Sequence, residues 1–276
     1  MIPPLRDLSR LCIHTITTKP WSIEEAVRRY SAAGVKGITV WRGTLLDLGP
    51  AGTGQLVRDH GLNVVSLCRG GFFAASSADR RARAIDENQR CIDEAAALGA
   101  PLVILVCGAE SGQPLSESRK QIADGIAAVL PHAAAAKVRL AVEPLHPMYA
   151  GDRSAVNTLG QAREICRQLN SPWLGIAVDV YHTWWDDRLA DEIGACGREG
   201  TLFAFHVSDW RLPTVDLLED RGLMGEGCIP IRAIREWVEG AGFKGFIEIE
   251  ILSRRLWACD QAQYLENIKD AYLTEV

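Results

Sequence analysis

Arg139-Leu140-Ala141-Val142-Glu143 and Leu174-Gly175-Ile176-Ala177-Val178-Asp179 decide how this chain is read. Each run is apolar along its length and then ends in a carboxylate. A strand with one wet face alternates apolar and polar residues, whereas a strand covered on both faces does not. These two runs therefore predict buried strands of a parallel sheet. Six further runs share the pattern: Leu11–Thr15, Lys36–Trp41, Asn63–Cys68, Leu102–Cys107, Leu202–Val207 and Phe246–Ile251.

Helical stretches fall between them. Ser22 precedes the first, and Glu25 stands three residues on, the spacing of a capping box. Gly34 ends that helix. Pro50–His60 follows the second strand and carries the weakest pattern, with Gly52 and Gly54 at its start. Asp79–Leu98 stops at Gly99, and Ser116–Ala136 is Ala-rich, with Pro131 predicting a break or kink. Asn157–Leu169, Asp187–Cys196, Ile231–Ala241 and Asp260–Leu273 complete the set. Strand followed by helix, eight times over in 276 residues, predicts a single (β/α)₈ TIM barrel, an α/β fold, as one domain over residues 1–276. A doubly wound sheet is the alternative. It would place a Gly-rich fingerprint after the first strand, where this chain reads His14-Thr15-Ile16-Thr17.

Composition narrows the partners. The net charge is −5, which argues against nucleic acid or an anionic membrane, since both reward basic surfaces. The eight cysteines form no C-x-x-C pair and read as reduced, mostly buried thiols of a cytoplasmic protein. Met1 to Arg10 contain no apolar signal core, and no apolar run approaches the roughly 20 residues needed to span a bilayer. No P-loop is present.

A barrel places its chemistry where strands end at the C-terminal face. Here four consecutive strands end in Glu143, Asp179, His206 and, from Ile247-Glu248-Ile249-Glu250-Ile251, a glutamate. Three carboxylates and an imidazole meeting at one mouth would repel each other and lose hydration. A divalent cation removes both problems. The mixed oxygen and nitrogen set suits Mn²⁺ first, with Co²⁺, Mg²⁺ or Zn²⁺ as alternatives. Glu248 and Glu250 share one face of the last strand. Glu250 is the expected ligand because it lies nearer the C-terminal end, level with the other three.

These residues carry a family resemblance. Val142-Glu143-Pro144-Leu145-His146-Pro147 resembles the E-P motif of the xylose isomerase-like barrels. Val178-Asp179-Val180-Tyr181-His182 resembles their D-x-x-H motif, and Phe205-His206-Val207-Ser208-Asp209-Trp210-Arg211 their H-x-x-D-x-R motif. Met224-Gly225-Glu226-Gly227 resembles their G-x-G loop, and the last strand their E-x-E. That superfamily includes sugar phosphate isomerase/epimerases, ketose 3-epimerases, inosose dehydratases and endonuclease IV. The resemblance implies that Glu143, Asp179, His206 and Glu250 bind one divalent metal. It implies that Glu143 and Glu250 act as acid and base, that His182 and Arg211 hold substrate hydroxyls, and that the protein is a homo-oligomer, dimer or tetramer. One departure stands out. Ketose 3-epimerases carry a further glutamate where this chain reads His146-Pro147-Met148-Tyr149, which leaves the free-ketose substrate unsupported.

The expected activity is a sugar isomerase or epimerase, working by proton transfer through a metal-stabilised enediolate on a sugar or keto-sugar. A keto-sugar or inosose dehydratase would use the same intermediate. An endonuclease IV-like repair enzyme is remote, since it needs more histidines at strand ends. His146 and Asp209 join His182 and Arg211 as expected substrate contacts, with Asp209 alternatively orienting His206. Trp41 and Arg69 are the contacts from the early strands, where Gly70 and Gly71 would let a loop fold over a ligand. His14 is expected to pack, and His60 and His132 to lie on helix surfaces.

Overall fold

The computed structural model describes residues 2–276; Met1 lies outside the described residues. Eight parallel strands close a barrel. In chain order they are β1 (Leu11–His14), β2 (Gly37–Trp41), β3 (Asn63–Gly71), β4 (Leu102–Val106), β5 (Arg139–Val142), β6 (Leu174–Asp179) and β7 (Leu202–Val207). A small antiparallel hairpin follows, β8 (Asp209–Trp210) with β9 (Arg221–Gly222), and then the last barrel strand, β10 (Ile247–Ile249). Closure is made by β1, which pairs with β2 on one side and β10 on the other.

Two apolar layers hold the barrel together. The larger lies between strands and helices and includes Ile13, Ile38, Leu105, Val142, Ile176 and Phe205. The smaller fills the barrel interior with Cys68, Leu102, Ile104, Ala141, Ala177 and Ala204. Small side chains there follow from the geometry: little room remains inside eight tilted strands. Burying a branched aliphatic side chain stabilises by roughly 1.5–3 kcal/mol, so these continuous layers dominate the folding energy.

Several sequence expectations are corrected in detail. Leu115–Ala136 is one helix with Pro131 inside it rather than broken there. Ser22 caps its helix by accepting the Glu25 N–H at 3.3 Å, but the Glu25 carboxylate turns away to Arg28 and Arg29, so only half of a capping box forms. The helix expected from Asn157 starts at Leu159 on the Thr158 cap, because the Asn157 side chain is occupied by the Leu145 and Ser154 carbonyls. Gly70 and Gly71 fold no loop over a ligand. A Cβ on Gly71, at φ +110°, would lie 1.9 Å from the Val106 carbonyl oxygen, and one on Gly70 2.6 Å from Asn88 Oδ1. The two glycines let β3 press against its neighbours, and the Asn88 amide bonds Gly71 N–H and C=O at 2.6 and 2.7 Å.

Candidate active site

The four expected donors arrive by four different local devices. Glu143 follows β5, where Pro144 biases it to extended backbone, and its N–H donates to Leu105 C=O at 3.1 Å. Asp179 ends β6 and caps the short helix Val180–Thr183, accepting the Tyr181 N–H at 2.8 Å. His206 lies in β7, in register with Asp179. Glu250 follows β10 and ties back through its N–H to Val207 C=O at 3.1 Å. All four are buried, and one ligand atom from each lies within 4.8 Å of the others.

The two glutamates of the last strand divide their work. The register sets Glu248, not Glu250, level with His206, so the expectation that Glu250 is level with the others is corrected. The side chains nevertheless sort the other way. Glu248 sits deeper, accepting from Thr39 Oγ1 at 2.6 Å and Ser66 Oγ at 3.3 Å, with His14 Nε2 at 3.2 Å. Glu250, one layer further out, reaches the set formed by Glu143, Asp179 and His206.

The donor set fits a divalent cation. His206 Nδ1 and Glu143 Oε1 approach to 2.9 Å, yet neither has a hydrogen-bond partner of proper geometry, and both are fully buried. Two lone-pair groups left this way are costly unless a shared cation joins them. Two overlapping trios, His14–His206–Glu248 and His14–Cys68–Glu250, also come close enough. In the first, a bond already joins His14 and Glu248 while His206 Nε2 has no partner; in the second, burial pushes the Cys68 thiol far up.

Without a cation, protons must compensate the charge. Burial, aided by Glu250 and Glu143 and opposed by Arg221, pushes the Asp179 carboxyl up to about 7. Burial opposes charging of His206, but Glu248, Glu143 and Glu250 outweigh it and hold that imidazole well above its ordinary range. Glu250 is pulled well down: burial is overcome by Arg221 and His14.

Arg221 is the site residue that sequence reading missed. It is buried on β9, and its Nη1 donates at 3.0 Å to Asp179 Oδ2, to Glu250 Oε2 and to the Glu250 carbonyl. Its Nη2 donates to His182 Nε2 at 3.0 Å, since a guanidinium cannot accept. Burial, then Arg221, holds His182 neutral, well below its usual range. No motif flags Arg221, because the hairpin that carries it has no apolar run. His14 was expected merely to pack. Instead it joins the carboxylates, and Trp41 Nε1 donates to its Nδ1 at 3.3 Å.

Trp41, Arg69 and His182 line the cavity at the barrel mouth with Glu143, Glu250 and Arg221. The other expected contacts do not line it. Asp209 accepts the backbone N–H groups of Trp210, Gly225, Gly227 and Ile229, at 2.8 to 3.0 Å, so it neither orients His206 nor faces the cavity. Arg211 is paired with Asp220 at 2.5 Å beside Gly222. His146 accepts the Met148 N–H at 3.2 Å and lies 4.9 Å from the Trp210 ring, so it caps a turn within an aromatic stack. His132 meets Asp93 on the surface, as expected of a helix-surface histidine.

Fold and site together define a parallel barrel with a candidate metal centre at its C-terminal mouth. The chain belongs to the xylose isomerase-like TIM barrel family, whose family model matches residues 27–272. It resembles the 3-dehydroshikimate dehydratase of Pseudomonas aeruginosa, at 27% identity over 84% of this chain. The chain spans only 36% of the length of that curated relative. Protein SMc04130 of Sinorhizobium meliloti 1021 has a solved structure that is 43% identical, covers 98% of this chain and 100% of its own, and superposes with a TM-score of 0.94. The IOLI protein, solved with a bound zinc atom, is 20% identical, covers 95% of this chain and 96% of its own, and gives a TM-score of 0.83, a likeness of fold. Among the described residues, no helix is long and apolar enough to cross a membrane.

Proposed function

We propose that this protein is a divalent-metal-dependent isomerase or epimerase acting on a small polyhydroxylated ketone. One observation carries the reading: four ligand atoms from Glu143, Asp179, His206 and Glu250 gather within 4.8 Å, two of them buried without hydrogen-bond partners. A divalent cation held by those four, Mn²⁺ in the first instance, would supply Lewis-acid polarisation of a substrate carbonyl. Glu143 and Glu250 both reach the cavity wall. One takes the proton from the carbon beside the carbonyl and the other returns a proton. Arg221 fixes Glu250 and Asp179 in place, and neutral His182 presents its ring to the cavity.

A dehydratase reading has its own support, the activity of the curated relatives, both 3-dehydroshikimate dehydratases. It shares the first step; the charge formed by proton removal then expels a hydroxide from the next carbon. A screen of keto-sugars and cyclic hydroxyketones in D₂O, with metal analysis, tests the shared step and separates the outcomes. Deuterium beside the carbonyl in a rearranged product supports the isomerase reading, and loss of water supports the dehydratase. Turnover with neither exchange nor loss of water, under any metal, overturns both.

A further inference from the structure

Three arginines line the cavity at the barrel mouth: Arg69, Arg153 and Arg221. Arg221 is engaged by Asp179 and Glu250. The other two have no such anchor. Among the described residues, no carboxylate lies within ion-pair reach of Arg69, and Arg153 meets only its neighbour Asp152, at 4.0 Å. Arg69 Nη1 is fully buried with no hydrogen-bond partner. Each guanidinium rests on an aromatic ring, Arg69 on Phe72 at 4.6 Å and Arg153 on Tyr149 at 5.7 Å. Such stacking orients the planar forks but satisfies none of their N–H donors.

The two cations also disfavour each other. Burial lowers the Arg69 pKa and Arg153 lowers it further, against the opposite pull of Glu143 and Glu250, the two carboxylates of the proposed cation site. Val106, Leu145, Leu218 and Leu252 form much of the remaining wall, and none of them can answer a positive charge. With Glu143 and Glu250 engaged by a cation, a neutral polyol would leave both guanidinium forks without a carboxylate in a partly dry cavity, at a desolvation cost. An anion removes that cost. A planar carboxylate matches the arginine fork. A phosphoryl group is commonly cradled by backbone N–H groups at a helix N-terminus or nest, whereas here the donors are side chains in an apolar wall.

We propose that Arg69 and Arg153 form an anion subsite for a carboxylate carried by the substrate, which is therefore a hydroxylated keto acid rather than a neutral sugar. This deepens the reading of the metal site and rests on it for the ketone. The test is binding to the full-length chain by titration calorimetry, with shikimate, its methyl ester and inorganic phosphate as probes. Shikimate is a cyclic triol with one carboxylate, no ketone to react and no α-hydroxyl to chelate. Shikimate is expected to bind at least about 10-fold more tightly than the ester, the scale of a hydrogen bond to a charged group. Arg69→Gln and Arg153→Gln should each erase most of that preference, with far-UV circular dichroism unchanged. Arg69→Lys should restore part of it. Equal binding of acid and ester, binding of neither, or a preference that survives in both variants overturns the subsite. Phosphate binding more tightly than shikimate overturns the choice of carboxylate. Isotope exchange on a neutral ketone with no acid preference would overturn this proposal alone; acid preference with neither exchange on nor loss of water from any ketone would overturn the proton-transfer reading instead.

Discussion

Glu248 and Glu250 are separated by one residue and given opposite duties by their neighbours. Glu248 is saturated by Thr39, Ser66 and His14, while Glu250 meets Arg221 and the open donor set. Glu250→Gln should therefore lose metal retention and isotope exchange together. Glu248→Gln should keep the metal but weaken it by about 10- to 100-fold, as expected for a residue that orients His206 and His14 from behind. Metal analysis of the two purified variants checks this, and the reverse pattern would exchange their roles. The titrating groups give a second expectation. A cation displaces protons from Asp179, raised to about 7, and from His206, raised well above its usual value. Both must be unprotonated to bind it. Affinity should thus rise as pH rises through about 7, go on rising until His206 also loses its proton, and fall below that window, with proton release seen as buffer-dependent binding heat. At this scale the donors were legible because each follows an apolar run. Arg221 and Arg153 were not, because one stands on a two-residue strand and the other in a turn, whose positions only the fold determines.

The strand-to-helix units explain why those donors converge. Asp179 ends a strand and caps the next helical turn with the same carboxylate, so its orientation is fixed by local hydrogen bonding. Asp209 plays the matching part for the loop after β9. Its buried carboxylate gathers four backbone N–H groups and holds the segment leading back from β9. Asp209→Ala should lower stability by about 2–4 kcal/mol, the scale of losing several bonds to a buried charge. It should leave metal stoichiometry unchanged, since Asp209 touches none of the four donors. Denaturant unfolding with metal analysis checks both. The motif that includes Asp209 and Arg211 was visible in the sequence, but a motif does not say which way its side chains face. Both turned to the hairpin, whose two-residue strands are too short to show periodicity.

For the whole molecule, the barrel was legible because eight apolar runs alternate with amphipathic ones, and closure through β1 and β10 follows from that count. Direct pairing of β10 with β7 brings the end of β10 beside His206, and so completes the donor set from residues distant in sequence. A cation that binds only the folded chain stabilises it by mass action, roughly 2.7 kcal/mol at a hundredfold excess over its dissociation constant. Chelation should then lower Tm by several degrees, about 2–4 °C per kcal/mol in a chain of this size class. Asp179→Asn should blunt that response. The central claim is that Glu143, Asp179, His206 and Glu250 form one cation site, and calorimetric titration of the chelator-treated protein with Mn²⁺ tests it most directly. The account predicts one ion per chain in the wild type and severe loss of binding in both Glu143→Gln and Glu250→Gln. No binding in the wild type, or one ion bound equally well by those variants, would contradict it.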